Sequence, residues 1–191
     1  MSACSKGVRP GAWPPGFVRL IAAQFLSALA DHALLIVAIA RLQAEGWPGW
    51  WAPVLKLGFN ASYVLLAPFA GPLADAWPKA RVMAWMNGVK GLGTLGLLAG
   101  VHPLPAYALV GLGAAAYAPA KYGIVTELVP PRQLVAANGC IEVSVVLAAL
   151  LGIGLGGALA GPGLAAWVGA AALDLATATV LLPYEIGRAH V

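Results

Sequence analysis

The chain has 191 residues, 61% hydrophobic and 9% charged, with a net charge of +4 and a mean hydropathy of +0.84. Soluble domains carry about 25% charged residues, so this composition excludes one and identifies an integral membrane protein. The positive balance needs no nucleic acid to explain it, because the cations sit where membrane topology places them.

Residues 1–16 form a polar tail carrying Lys6 and Arg9. Six apolar segments follow, each long enough for a helix to cross a hydrocarbon core, which takes about 20 residues. The first runs from Phe17 to Ala40 and holds Asp31 and His32 at its middle. It is too long for a cleaved signal peptide and no small-residue cleavage site closes it, so it is expected to stay as an anchor. The second, Trp51 to Ala74, contains Lys56, expected to snorkel outward among tryptophans, and Asn60, expected to bridge helices. Val82 to Gly100 carries Asn87 and Lys90, and Leu104 to Val125 carries Lys121. Ala136 to Ala160 carries Cys140 and Glu142, and Leu164 to Leu182 carries Asp174, read as a helix-contact residue. Pro68, Pro72 and Pro119 can kink the helices they interrupt. No long strand-like alternation suggests a barrel. The closing residues, Glu185 to Val191, turn polar after Pro183-Tyr184 and read as an adapter-encoded tail, on which reading the natural chain is longer.

Lys6, Arg9, Arg19, Lys79, Arg81 and Arg132 all fall on one side of this six-segment layout. Cytoplasmic loops hold the excess of Lys and Arg, so both ends of the six-helix unit are expected in the cytoplasm. The opposite loops hold Arg41 with Glu45, then His102, beside Trp47, Trp50, Trp51 and Trp167. Trp77 and Trp85 flank the cytoplasmic interface. Cys4 and Cys140 are too far apart in the chain to suggest a metal pair, and no disulfide or zinc site is expected. No phosphate loop or nucleophile elbow is present; the glycines sit inside apolar helices, where they allow close packing.

A charge within an apolar helix costs at least about 2.5 to 3.5 kcal/mol on insertion scales, so each demands a partner or a function. At a rise of about 1.5 Å per residue, Asn87, Lys90, Lys121 and Glu142 lie at similar levels on three helices. Asn87 and Lys90, three apart, share a face. Were those faces to line one cavity, Glu142 would neutralise one lysine and leave the other for an anionic group of a ligand; the competing reading is a Lys–Glu pair that only pins helices. Asp31 is too deep to reach water and is the leading candidate for a coupling site that binds sodium or takes up a proton. The competing reading is a protonated Asp31 hydrogen-bonded to a neighbouring helix. His32 points about 100° away from it and is given a bland role.

The loop Gly71-Pro72-Leu73-Ala74-Asp75-Ala76-Trp77-Pro78-Lys79-Ala80-Arg81 resembles the cytoplasmic loop signature of the major facilitator superfamily. It departs from the family pattern at Ala76 and at Trp77-Pro78, where the family has Arg directly after the Asp and Gly two positions later. On this reading Gly71 permits close helix contact, while Asp75 holds Lys79, Arg81 and helix ends in one of two gating conformations. A second set resembles the bacterial lysophospholipid transporter family within that superfamily. It comprises Ala23 to Ala28, Asp31 to Leu35, Ala67 to Gly71, Arg81-Val82-Met83, Asn87 to Lys90, Tyr117 to Gly123, Asn138-Gly139 and Glu142. The family has Asn where this chain has His32.

The resemblance implies an all-α polytopic membrane protein, its six transmembrane helices (17–184) forming the N-terminal half of a major facilitator fold as two three-helix units. It also implies a flippase of the bacterial inner membrane. Such a protein moves lysophosphatidylethanolamine and lysophosphatidylglycerol from the outer leaflet to the inner, where an acyltransferase/acyl-carrier-protein synthetase restores the second chain. No cofactor is implied beyond sodium or proton coupling. Two alternatives remain: a facilitator for a drug or polar solute, and the membrane module of an acyltransferase. Autonomous catalysis is not expected, since Asp31-His32 stand in the wrong order, inside a helix, for an acyltransferase pair.

Overall fold

The structure is a computed structural model that describes residues 13–159. Within them the chain forms five α-helices: α1 (Pro15–Ala44), α2 (Trp51–Ala76), α3 (Lys79–Leu98), α4 (Pro103–Leu128) and α5 (Leu134–Leu159), with a 3₁₀ turn at Pro131–Gln133 before α5. The expected sixth segment, Asp174, Trp167 and the closing seven residues lie outside the described residues, as do Cys4, Lys6 and Arg9. Five of the six expected helices are therefore described.

Helix limits follow local chemistry. Pro15 and Pro103 occupy first-turn positions of α1 and α4, where a missing N–H costs nothing. Gly46 and Gly100 adopt positive φ (79° and 92°) just beyond α1 and α3, ending both helices in a conformation that disfavours a β-carbon. Pro68 and Pro72 lie inside α2 and Pro119 inside α4, as the sequence suggested.

By length and apolar composition, α1, the Trp51–Pro72 part of α2, α4 and the Pro131–Ala158 segment can each cross a membrane. α3 does not reach that standard, contrary to the reading of all six segments as apolar spans. Its 20 residues include Lys79, Arg81, Asn87 and Lys90, and the polar groups it brings in are held by its neighbours.

α4 lies between α2 and α3, while α5 packs along α1. Small residues set these contacts. A β-carbon on Gly113 of α4 would stand 2.6 Å from the Met86 carbonyl and from Lys90 Cγ of α3, and one on Gly93 of α3 would stand 2.7 Å from the Ala106 carbonyl. Gly152 and Gly156 of α5, four apart, meet the Leu29 and Ala33 carbonyls of α1 in the same way. Such spacing allows backbones to approach in lipid, where dispersion rather than water exclusion holds helices together.

Two apolar clusters result. One, at the N-terminal end of α1, includes Phe17, Leu20, Met83, Tyr117, Ile124 and Ile141; the other, at its C-terminal end, includes Leu34, Leu42, Leu55, Leu97 and Val110.

Candidate functional site: a buried polar layer

Between the two apolar clusters, α1 and α3 present a polar layer. Ser27 and Asp31 are one turn apart on α1, and Asn87 and Lys90 nearly one turn apart on α3, so each pair shares a face. The Lys90 ammonium lies 2.7 Å from Asp31 Oδ1 and 2.8 Å from Oδ2, and it donates to Ser27 Oγ at 2.5 Å. Ser27 in turn donates to Asn87 Oδ1 at 3.3 Å. The side chains of Lys90 and Asp31 are only 6% and 15% exposed, so neither charge is left to bulk water. Gly113 makes room for the Lys90 stem, Thr94 donates to the Lys90 carbonyl at 3.1 Å, and Tyr107 donates to the Asp31 carbonyl at 3.5 Å.

Chemically, the pair is two opposite charges satisfied by each other. Removing one partner of such a pair leaves an uncompensated charge in a medium of low dielectric. An incoming anion that competes for Lys90, or a cation that competes for Asp31, has a defined bond to displace.

The remaining candidates fall into separate groups. Lys121 is buried, its ammonium 4.5 Å from the Tyr122 ring centroid, and Tyr122 donates to Glu142 Oε1 at 2.6 Å. Lys121, Tyr122 and Glu142 thus form a second constellation, two turns along α4 from the Gly113 contact. Lys90 is matched by Asp31, a partner the sequence reading did not assign to it, and Glu142 stays near Lys121. His32 turns away from the layer, its Nδ1 2.8 Å from the Ala28 carbonyl.

Of the expected loop, only Trp77 and Pro78 lie outside helices; Lys79, the first residue of α3, donates to the Glu127 carboxylate of α4, with its stem laid over Gly123. Arg81 is exposed. Gly71 does not provide the close contact expected of it within this bundle: a β-carbon there would meet no atom within 4 Å. Asp75 belongs to the last turn of α2, and its side chain lies outside what the structure describes. Asn60 is exposed rather than between helices, and Lys56 lies over the Phe59 ring at 5.5 Å.

At the opposite end, Arg41 donates to the Leu97 carbonyl at 2.5 Å, to the Gly100 carbonyl at 3.1 Å and to Glu45 at 3.0 Å. It thereby caps the α3 C-terminus, whose final carbonyls need external donors. Trp47 donates to Glu45 at 3.2 Å, and the His102 ring packs edge-on against Trp47 and Trp51. The Arg41 guanidinium holds the Glu45 carboxyl below its usual value of 4.5. Among the described residues no group of three or more His, Cys, Asp or Glu is placed to hold a metal ion.

Sequence reasoning had identified Asp31, Asn87 and Lys90 but not Ser27, Tyr107 or Arg41. For Ser27 a signal existed, its four-residue spacing from Asp31. Nothing local pointed to Tyr107 or Arg41, whose partners lie 76 and 56 residues away.

The family model for the Major Facilitator Superfamily matches residues 20–186. The chain is similar to the lysophospholipid transporter LplT of Citrobacter koseri, 48% identical over 168 residues, which cover 88% of this chain and 42% of the relative. It is also similar to the proteins of that name from Salmonella paratyphi A and Salmonella agona. Each is 50% identical over 148 residues, covering 78% of this chain and 37% of the relative. The chain thus spans about two-fifths of the length of the curated relatives it matches.

Proposed function

The chain belongs to the Major Facilitator Superfamily, and from that premise we infer that it is the N-terminal half of a transporter that moves lysophospholipids across a bacterial inner membrane. Its relatives carry that name and are transporters rather than enzymes. The observation that carries the reading is the Lys90–Asp31–Ser27–Asn87 layer enclosed between two apolar clusters. A lysophospholipid has a charged headgroup and one acyl chain, and its route needs polar groups beside apolar walls. An open apolar groove is lined by Trp77, just beyond α2, and by Val82, Trp85 and Met86 of α3, the helix that carries Lys90.

On this proposal the direction of movement is from outer to inner leaflet, followed by reacylation by an acyltransferase. Both ends of the 17–184 unit face the cytoplasm. Asp31 and Lys90 are the pair that opens during the cycle, whether to sodium, to a proton or to the substrate itself; Lys121 and Glu142 form a second polar step. Gly71 and Asp75 towards the end of α2, with Lys79 and Arg81 at the start of α3, act as the gating segment, with the Lys79–Glu127 contact as the bond that would break when α3 and α4 move apart.

The test is uptake of labelled lysophosphatidylethanolamine by vesicles containing the full-length protein. Protein-dependent movement between leaflets, reduced by Asp31→Asn and by Lys90→Met, is the expected result. Failure to move any lysophospholipid, together with transport of a soluble compound, would replace this reading with that of a drug or polar-solute facilitator.

A further inference from the structure

Tyr117 of α4 is 5% exposed, and among the described residues its hydroxyl is a buried side-chain polar atom without a hydrogen-bond partner. Its ring packs in the apolar cluster at the N-terminal end of α1 and lies 5.9 Å from the Lys90 ammonium, at the border of that cluster with the polar layer. A buried hydroxyl with no partner costs about the same free energy as a lost hydrogen bond. A phenylalanine would fill the same space without that cost. The hydroxyl therefore asks for a role in another state.

The layer itself indicates what that role is. An ammonium has three donors and no acceptor, and Lys90 spends them on the two Asp31 oxygens and on Ser27. Ser27 spends its own donor on Asn87 Oδ1. Among the described residues none accepts from the phenolic O–H of Tyr117, which is left as a donor in excess. What this hydroxyl lacks there is an oxygen acceptor.

We propose that Tyr117 is a substrate-binding residue, whose hydroxyl donates to a phosphate oxygen of the lysophospholipid when that phosphate engages Lys90. The proposal rests on the lysophospholipid reading above and adds a headgroup contact to it. The phosphate recruits a donor that has no bond to lose, so that binding there replaces an unsatisfied group with a charge-assisted hydrogen bond.

The test compares equilibrium binding of lysophosphatidylethanolamine, of monoacylglycerol (the same acyl ester and glycerol without phosphate) and of glycerol 3-phosphate to full-length wild-type protein and its Tyr117→Phe variant. Lysophosphatidylethanolamine is expected to bind the variant about tenfold more weakly, with monoacylglycerol binding unchanged. The ligand-free variant is expected to melt at or above the wild-type temperature. Equal binding of lysophosphatidylethanolamine by both proteins would overturn the proposal, as would a matched loss for both lipids or a lower melting temperature, either of which marks a packing role. Weakening confined to glycerol 3-phosphate would overturn the lipid as the source of the phosphate. If wild-type protein itself fails to bind lysophosphatidylethanolamine, the transport reading falls together with this one.

Discussion

Asp31 of α1 and Lys90 of α3 face each other through a 2.7 Å contact, 59 residues apart in the chain and enclosed between two apolar clusters. The arrangement joins the first and third helices, which otherwise touch little: α3 packs mainly on α4, and α1 mainly on α5. This ion pair thus ties α1 to α3, in addition to the packing of α1 on α4 and the two apolar clusters.

Breaking the pair from one side strands a charge. Asp31→Asn or Lys90→Met alone should each lower stability by about 3 to 5 kcal/mol, while the double variant Asp31→Asn/Lys90→Met should lose less than the sum. Thermal melting of the four proteins in detergent provides the cycle. Additive losses would show that the two charges do not depend on each other.

Gly113 sets the distance at which α3 meets α4. Gly113→Ala places a β-carbon against the Met86 carbonyl, which cannot rotate away, and should cost about 1 to 3 kcal/mol while displacing Lys90 from Asp31. Gly88→Ala on the facing helix α3 meets open space and should be neutral, or stabilising by up to about 1 kcal/mol. Melting temperatures of the two variants check the contrast.

The Lys79–Glu127 contact is half open to solvent, its side chains 27% and 57% exposed. Glu127→Gln should cost no more than about 1 kcal/mol, less in high salt. Stability measured across a salt series separates this surface pair from the buried one, which salt should barely touch.

Acid should loosen the Arg41–Glu45–Trp47 cluster. The Glu45 carboxyl is held below its usual value by its hydrogen bond from Arg41. A group depressed in this way contributes stability in full above its ordinary value of 4.5 and loses it as pH falls through the lower folded value. Tryptophan fluorescence should therefore change on acidification in the wild-type protein. In Arg41→Gln the change should begin at higher pH, because the carboxylate then titrates nearer its ordinary value. Coincident titrations would show that Arg41 does not set the Glu45 ionisation.

Composition and the spacing of apolar runs were enough to identify a helical membrane protein and to place α1 through α5 to within a few residues at most ends. These are local properties: about 20 apolar residues must satisfy their backbone internally in lipid, whatever else they touch. The same one-dimensional rise put Asn87, Lys90, Lys121 and Glu142 at similar levels, whereas in the bundle Lys90 is level with Gly113 and Lys121 lies about two turns further along α4, beside Gly123 and Lys79. Tertiary structure alone decided which of these meet. Lys90 turned to Asp31 because Gly113 lets its stem pass and Ser27 stands one turn from the carboxylate, and the angular facing of three helices cannot be deduced from depth. It likewise left the Tyr117 hydroxyl without a hydrogen-bond partner among the described residues and sent Arg41 to the carbonyls of α3, because hydrogen-bond pairing between distant segments depends on how helices rotate against one another, and that rotation is set by small residues at their contacts.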